Sequence, residues 1–216
     1  MKLSILYLHG FASSPASIKA SMIGSHFIKA GRDFFAPDLN CGDFTSMTIS
    51  KNIEVARKIA DSLVEPFILM GSSLGGYTAA VACLACQKPP RGLVLMAPAF
   101  HPSKLWKSTL SKNEFYEWRD SGKIMVEHFA WGRKVPLSFQ FYKDIETKPP
   151  FPDIKEYPCI IFHGNKDESV PITLSREFAD RNKHVKLYEL NDTHDLLASI
   201  DYIKNVTSSF LESLDN

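Results

Sequence analysis

Ser73 stands at the centre of Gly71-Ser72-Ser73-Leu74-Gly75, and it is here that the chain's residue types are best suited to chemistry. The short apolar run Phe67-Ile68-Leu69-Met70 stops abruptly at Gly71, and the helix-like run Tyr77-Thr78-Ala79-Ala80-Val81-Ala82-Cys83-Leu84-Ala85 follows. A serine between strand and helix sits in a strained turn, so the residues two before and two after it must be very small for the two elements to approach. Gly71 and Gly75 meet that need. The same turn sets Ser73 at a helix N-terminus, where unpaired backbone N–H groups and the helix dipole favour a developing negative charge. Ser72 is the flanking residue. A five-residue Gly/Ser pattern also occurs in plain flexible turns; the strand before it and the helix after it make it a nucleophile elbow.

A serine hydroxyl is a weak nucleophile at neutral pH and needs a base, with a third group to orient that base. In a parallel sheet such groups belong in loops beyond the carboxyl ends of the strands. Two loops offer them: His163-Gly164-Asn165-Lys166-Asp167-Glu168-Ser169-Val170-Pro171, and Asn191-Asp192-Thr193-His194-Asp195 after the last apolar strand. Of the seven histidines, His194 is the expected base because it lies in a polar loop after that strand. His163 follows the strand that carries the acid and suits a buttress of the turn; His9, at the end of the first strand, reads as structural. Asp167 is the expected acid, with Glu168 second. Asp192 and Asp195 are too close to His194 in sequence to approach it from a separate loop.

These groups require a sheet to carry them. Leu3-Ser4-Ile5-Leu6-Tyr7-Leu8, within the run opened by Met1, reads as a buried strand. Ser14 and Pro15 form a helix start as N-cap and first helical residue, Ala16, Ala20, Ile23 and Phe27 share one face, and Gly31 ends the helix. A strand is expected over Asp33 to Pro37, then a loop around Asn40 to Asp43. Ile53, Ala56, Ile59 or Ala60, and Leu63 mark a helix that ends before Pro66. Arg91 to Ala97 and Cys159 to His163 read as strands, Thr173 to Arg181 as a helix and Val185 to Leu190 as a strand. Leu196, Ile200, Ile203, Val206, Phe210 and Leu214 stripe a closing helix. Strand and helix alternate on both sides of an interruption at 101–150, so the expected fold is α/β: a mostly parallel sheet covered by helices on both faces.

The motifs resemble those of the α/β-hydrolase superfamily over almost the whole chain. His9-Gly10-Phe11, Gly71-Ser72-Ser73-Leu74-Gly75, His163-Gly164-Asn165-Lys166-Asp167 with Val170-Pro171, and the late His194 occur in the superfamily's order. The opening Leu6-Tyr7-Leu8-His9-Gly10-Phe11-Ala12-Ser13-Ser14-Pro15 and the elbow Gly71 to Tyr77 are most similar to short bacterial YqiA-type esterases, and some acyl-protein thioesterases look similar. The resemblance implies Ser73 as nucleophile, His194 as general base and then acid, Asp167 as orienting carboxylate, and an oxyanion hole made by the backbone N–H groups of Phe11 and Leu74. The chain opens directly at the strand before His9-Gly10, so the leading antiparallel strands of larger members are not expected.

The 216 residues suit a single α/β-hydrolase domain over 1–216, with 101–150 as an aromatic-rich lid or cap insertion. That insertion holds all three tryptophans, Trp106, Trp118 and Trp131. They are expected to supply at least one wall of a substrate pocket, although aromatic side chains more often pack a core. With 25 basic and 24 acidic residues, and no basic block, there is no electrostatic footprint for nucleic acid. Cys83 and Cys86 form a CxxC inside the helix after the elbow, without a second pair or a histidine at ligand spacing. They, with Cys41 and Cys159, read as small apolar residues. No metal or cofactor is implied. The first apolar run is too short for a signal-peptide core or a membrane span, which gives a cytoplasmic protein as the default. Nothing indicates an oligomeric state. The expected reaction is hydrolysis of a small-molecule carboxylic ester or thioester through an acyl-enzyme. An amidase or peptidase with the same triad and a non-catalytic binding protein on the same scaffold are the alternatives. Dehalogenation of haloalkanes is disfavoured, because Ser73 stands where that chemistry requires a carboxylate.

Overall fold

Continuous apolar runs form strands buried on both faces, as parallel sheets require. The computed structural model describes residues 2–154 and 157–215; Met1 lies outside the described residues. In chain order the elements are β1 (Ser4–Leu8), α1 (Ile18–Lys29), β2 (Phe34–Phe35), a 3-10 turn (Phe44–Ser46), α2 (Ile49–Ser62), β3 (Phe67–Ser72), α3 (Leu74–Ala82) and β4 (Leu93–Met96). Then come α4 (Pro102–Thr109), α5 (Lys112–Ser121), β5 (Lys123–His128), β6 (Arg133–Ser138), α6 (Phe139–Glu146), β7 (Cys159–Gly164), α7 (Ile172–Arg181), β8 (Val185–Leu190) and α8 (Ile200–Leu214).

Six strands form one sheet in the order β2-β1-β3-β4-β7-β8, and every pair is parallel. Side chains that alternate along a strand enter opposite layers. Ile5, Tyr7, Ile68 and Met70 pack with Ile23 and Phe27 of α1 and Ile200, Ile203 and Leu211 of α8. Leu6, Leu8, Leu69 and Leu95 pack with Ala56 and Ala60 of α2 and Tyr77 and Ala80 of α3. The sheet is thus covered on both faces, as expected. Among the described residues no helix is long and apolar enough to cross a membrane.

Several boundaries differ from the sequence expectation. The cap of α1 is Ser17, whose hydroxyl accepts from the Ala20 N–H at 3.3 Å, not Ser14; Pro15 lies in the turn that carries the chain away from β1. The expected strand over 33–37 shrinks to Phe34–Phe35, an edge strand paired to β1 alone. α2 starts earlier than its apolar stripe, at Ile49, because the Thr48 hydroxyl accepts from the Lys51 N–H. α3 stops at Ala82, and bonds from Leu84 N to Val81 O and from Ala85 N to Ala82 O tighten its end into i→i+3 turns. Leu196 is not helical: its φ is 56° and its side chain is buried in the turn before α8. Cys83 and Cys86 hydrogen-bond back to Ala80 O and Ala82 O, and burial pushes their thiols up to about 12 and about 11. They pack as small apolar groups.

The 101–150 interruption contains α4, α5, an antiparallel β5–β6 hairpin and α6. Aromatic contacts tie it to the sheet layer. Trp106 meets Phe11 edge-on at 5.1 Å between centroids, and the ring of Phe141 lies 5.3 Å from that of Trp106.

At the elbow, backbone segments approach too closely for any side chain. A Cβ at Gly75 would lie 2.1 Å from Leu8 O and 2.4 Å from His9 O, and one at Gly71 would lie 2.3 Å from Gly75 O. These neighbours are backbone and cannot swing aside. Gly75→Ala should therefore destabilise the fold by about 3 kcal/mol or more, read as a lowered denaturant midpoint; an unchanged midpoint would show that the elbow can relax.

Candidate active site

β3 ends at Ser72, and Ser73 turns the chain into α3 with φ 54° and ψ −120°. An L-residue rarely occupies that region, and it persists only where its surroundings hold it. Here the backbone does so: Ser73 N donates to Met96 O at 2.8 Å, and Ser73 O accepts from Ala99 N at 3.0 Å and Tyr77 N at 3.1 Å. The turn directs Ser73 Oγ to His194 Nε2 at 3.0 Å, and His194 Nδ1 lies 2.7 Å from Asp167 Oδ2. With its proton on Nδ1, the imidazole donates to Asp167 and accepts from Ser73. The three residues expected from sequence meet in one hydrogen-bonded line.

Backbone approach again makes the meeting possible. A Cβ at Gly164 would fall 2.3 Å from Asp192 O and 2.6 Å from Thr193 O, so the end of β7 lies directly against the loop that carries His194. Asp167 Oδ1 accepts from Ser169 N at 2.9 Å and Val170 N at 2.8 Å, leaving Oδ2 for the imidazoles. Burial opposes ionisation of this carboxyl, but the His163 and His194 side chains and the Val170 N–H outweigh it and hold it well below the usual carboxylate range. His163 does buttress the turn: Nε2 lies 2.9 Å from Val170 O and 3.2 Å from Asp167 Oδ2, and Nδ1 lies 2.7 Å from Ser175 Oγ. His9 holds the loop after β2, accepting from Leu39 N at 2.9 Å. The rival acids have other work. Asp192 accepts from Thr193 N and Ser199 N and Asp195 from Leu197 N, which shapes the His194 loop, while Glu168 is exposed on its outer side.

Ser73 and His194 open on a cleft of about 350 Å³. Phe11 and Leu74 line it too, and as the first residue of α3 Leu74 has an N–H with no acceptor inside the helix. The interruption supplies much of the wall: Leu105 and Trp106 from α4, and Val126, Glu127 and Phe129 from the hairpin. Trp118 and Trp131, expected with Trp106 at the substrate, are not on this cleft. Trp118 is 1% exposed in the aromatic layer behind Trp106 and donates from Nε1 to Leu137 O at 3.0 Å; Trp131 stacks on His128 at 3.8 Å. The sequence has no signal for Val126 or Phe129, because no periodicity places them. It does contain Lys19, whose Nζ donates to Ser72 Oγ at 2.9 Å, but a lysine beside an apolar stripe reads as solvated. Among the described residues no three His, Cys, Asp or Glu side chains converge as a metal site would need.

The depressed Asp167 carboxyl contributes stability that is present above the ordinary carboxylate range and lost as pH falls through that range toward its folded value. Urea titrations should thus show the wild type losing stability between about pH 5 and pH 2, with a shallower loss in Asp167→Asn; equal slopes would mean that this carboxyl is not the linked group. Trp118→Ala should cost about 3–5 kcal/mol by chemical denaturation, and Trp131→Ala, which is half exposed, nearer to about 1 kcal/mol.

The sequence and the fold both have known counterparts. The profile of Uncharacterised protein family (UPF0227) matches residues 4–211. The mitochondrial palmitoyl-protein thioesterase ABHD10 of Rattus norvegicus is 28% identical over 228 residues, covering 91% of this chain and 73% of that protein. The structure of mouse alpha/beta hydrolase domain-containing protein 10 superposes with a TM-score of 0.81 at 24% identity, covering 98% of this chain and 90% of that one. Est1E from Butyrivibrio proteoclasticus does so with a TM-score of 0.79 at 21% identity, covering 99% and 88%. From β1 through most of α8, therefore, the chain belongs to family UPF0227, and its architecture is that of the α/β-hydrolases.

Proposed function

We propose that this esterase-type hydrolase cleaves a carboxylic ester or thioester through an acyl-enzyme on Ser73. The observation that carries the reading is the hydrogen-bonded line Ser73 Oγ, His194 Nε2, His194 Nδ1, Asp167 Oδ2, opening on a cleft lined mostly by apolar side chains. As the Ser73 oxygen attacks the carbonyl carbon, its proton passes to His194 Nε2, and Asp167 supports the imidazolium that forms. The oxyanion forms beside the N–H groups of Phe11 and Leu74. His194 then gives its proton to the departing alcohol or thiol. Water, deprotonated by the same nitrogen, attacks the acyl-enzyme and releases the acid, restoring Ser73.

The apolar acyl part lies along Leu74, Leu105, Trp106, Val126 and Phe129. In this reading the segment 101–150 is a cap on a single domain spanning 1–216: it excludes water from the oxyanion and sets which acyl group fits. The name of the rat relative, a palmitoyl-protein thioesterase, supports a thioester with a long acyl chain as one substrate class. A thiol leaves more readily than an alcohol, so the same groups serve both.

Intact-mass analysis after fluorophosphonate treatment should show one adduct on the wild type and none on Ser73→Ala, whose kcat should fall by at least about 10⁴-fold on ester substrates. No adduct on folded wild type would sink the serine mechanism. Across an ester and thioester acyl-chain series, Trp106→Ala should shift the preferred chain length, changing the ratio of kcat/KM between neighbouring chains by about tenfold. An unchanged series would remove Trp106 from the acyl site.

A further inference from the structure

Lys19 lies in the first turn of α1, yet its side chain runs inward to the elbow. Nζ donates to Ser72 Oγ at 2.9 Å, on the sheet face where Tyr7 of the neighbouring strand β1 also packs. Ser72 is the last residue of β3, 7% exposed, and shares with Met70 the sheet face covered by α1. Its hydroxyl is thus held from α1, one residue before the one with φ 54°. A positive φ at a non-glycine relaxes unless neighbouring groups over-determine it, and a small displacement of a reacting oxygen has a large effect on rate. A charged donor gives a shorter and stronger hydrogen bond than a neutral one, and the lysine stem can lie along apolar surface to deliver it.

We propose that Lys19 is a positioning residue for Ser73: acting through Ser72, its ammonium fixes the end of β3 so that Ser73 Oγ stays on His194 Nε2. This rests on the reading of Ser73 as the nucleophile. The groups that face the ammonium are Ser72 and Tyr7 from the sheet, Asp167 from the loop after β7, and Asp192 and Asp195 from the loop after β8. Loss of water around the ammonium outweighs the pull of the three carboxylates and brings Lys19 down to about 8. The Lys19 side chain is half-buried, and among the described residues no carboxylate forms an ion pair with it to offset the loss of water around its ammonium.

The test is the rate of fluorophosphonate labelling at Ser73, with kcat and KM for an ester, in wild type, Lys19→Met, Lys19→Arg, Ser72→Ala and the Lys19→Met/Ser72→Ala double variant. Lys19→Met and Ser72→Ala should each slow labelling and lower kcat by about 10- to 100-fold with KM unchanged, and the double variant should be no slower than either. Lys19→Arg should restore most of the rate. The wild-type rate should fall above about pH 8 as the ammonium is lost, whereas Lys19→Arg, charged throughout, should hold its rate there. Lys19→Met should melt at or above the wild-type temperature. Labelling of Lys19→Met at the wild-type rate, or slowing matched by a lowered melting temperature, would overturn the proposal while the serine reading stands. Should Lys19→Met not fold, Ser72→Ala and Lys19→Arg carry the comparison. Absence of any adduct on wild type overturns both.

Discussion

Between Gly71 and Gly75 there is no room for a methyl group, because the first turn of α3 lies against the backbone of β1 and β3. That contact sets where α3 starts. It fixes the positive φ of Ser73, and it leaves Leu74, the first residue of α3, on the wall of the cleft. The Ser73 backbone is bonded on both sides, to Met96 O and from Ala99 N, so strand β4 shares in holding the turn. A conformation that is unfavourable for the residue is kept by the sum of contacts around it. The strain is local, and the sheet supports it.

A second glycine does for the two remaining groups what Gly75 does for the serine. Gly164 lets the end of β7 lie against the backbone at Asp192, and residues 27 apart in sequence, Asp167 and His194, come within 2.7 Å. The carboxylate is kept ionised by what surrounds it. Two backbone N–H groups, the His163 ring and the His194 ring offset the burial that would otherwise raise its pKa. Each acidic residue near His194 has a separate task. Asp167 faces the imidazole, whereas Asp192 and Asp195 satisfy the backbone of the loop that presents it.

The aromatic interruption divides its rings between two uses. Trp118, Phe139 and Tyr142 pack against one another at centroid distances of 5.2 to 5.9 Å and form one aromatic layer. Trp106 stands between that layer and Phe11, so the same packing that stabilises the insertion also supplies the cleft wall. His128, buried under Trp131 and 3.3 Å from Asn40 Oδ1, ties the hairpin to the loop after β2. Phe129 is thereby left exposed at the mouth of the cleft.

Local rules were enough for much of this protein. Unbroken apolar runs announced strands buried on both faces. Glycines two before and two after Ser73 announced a turn too tight for side chains, and polar loops after two late strands announced Asp167 and His194. Such features are legible because each depends on a few neighbouring residues. What local rules could not supply was the position of anything whose partner is distant in sequence. Ser14-Pro15 satisfies the rules for starting a helix as well as Ser17 does, but the chain must first turn away from β1, and the start at Ile18 goes with Lys19 reaching Ser72, 53 residues away. Three tryptophans with similar chemistry were indistinguishable in sequence. Packing put Trp106 on the cleft, Trp118 behind it and Trp131 at its edge of the hairpin, because burial of a ring is decided by which other rings surround it. Residue types and their spacing determined which groups could react; the approach of backbone segments far apart in the chain decided which of them meet.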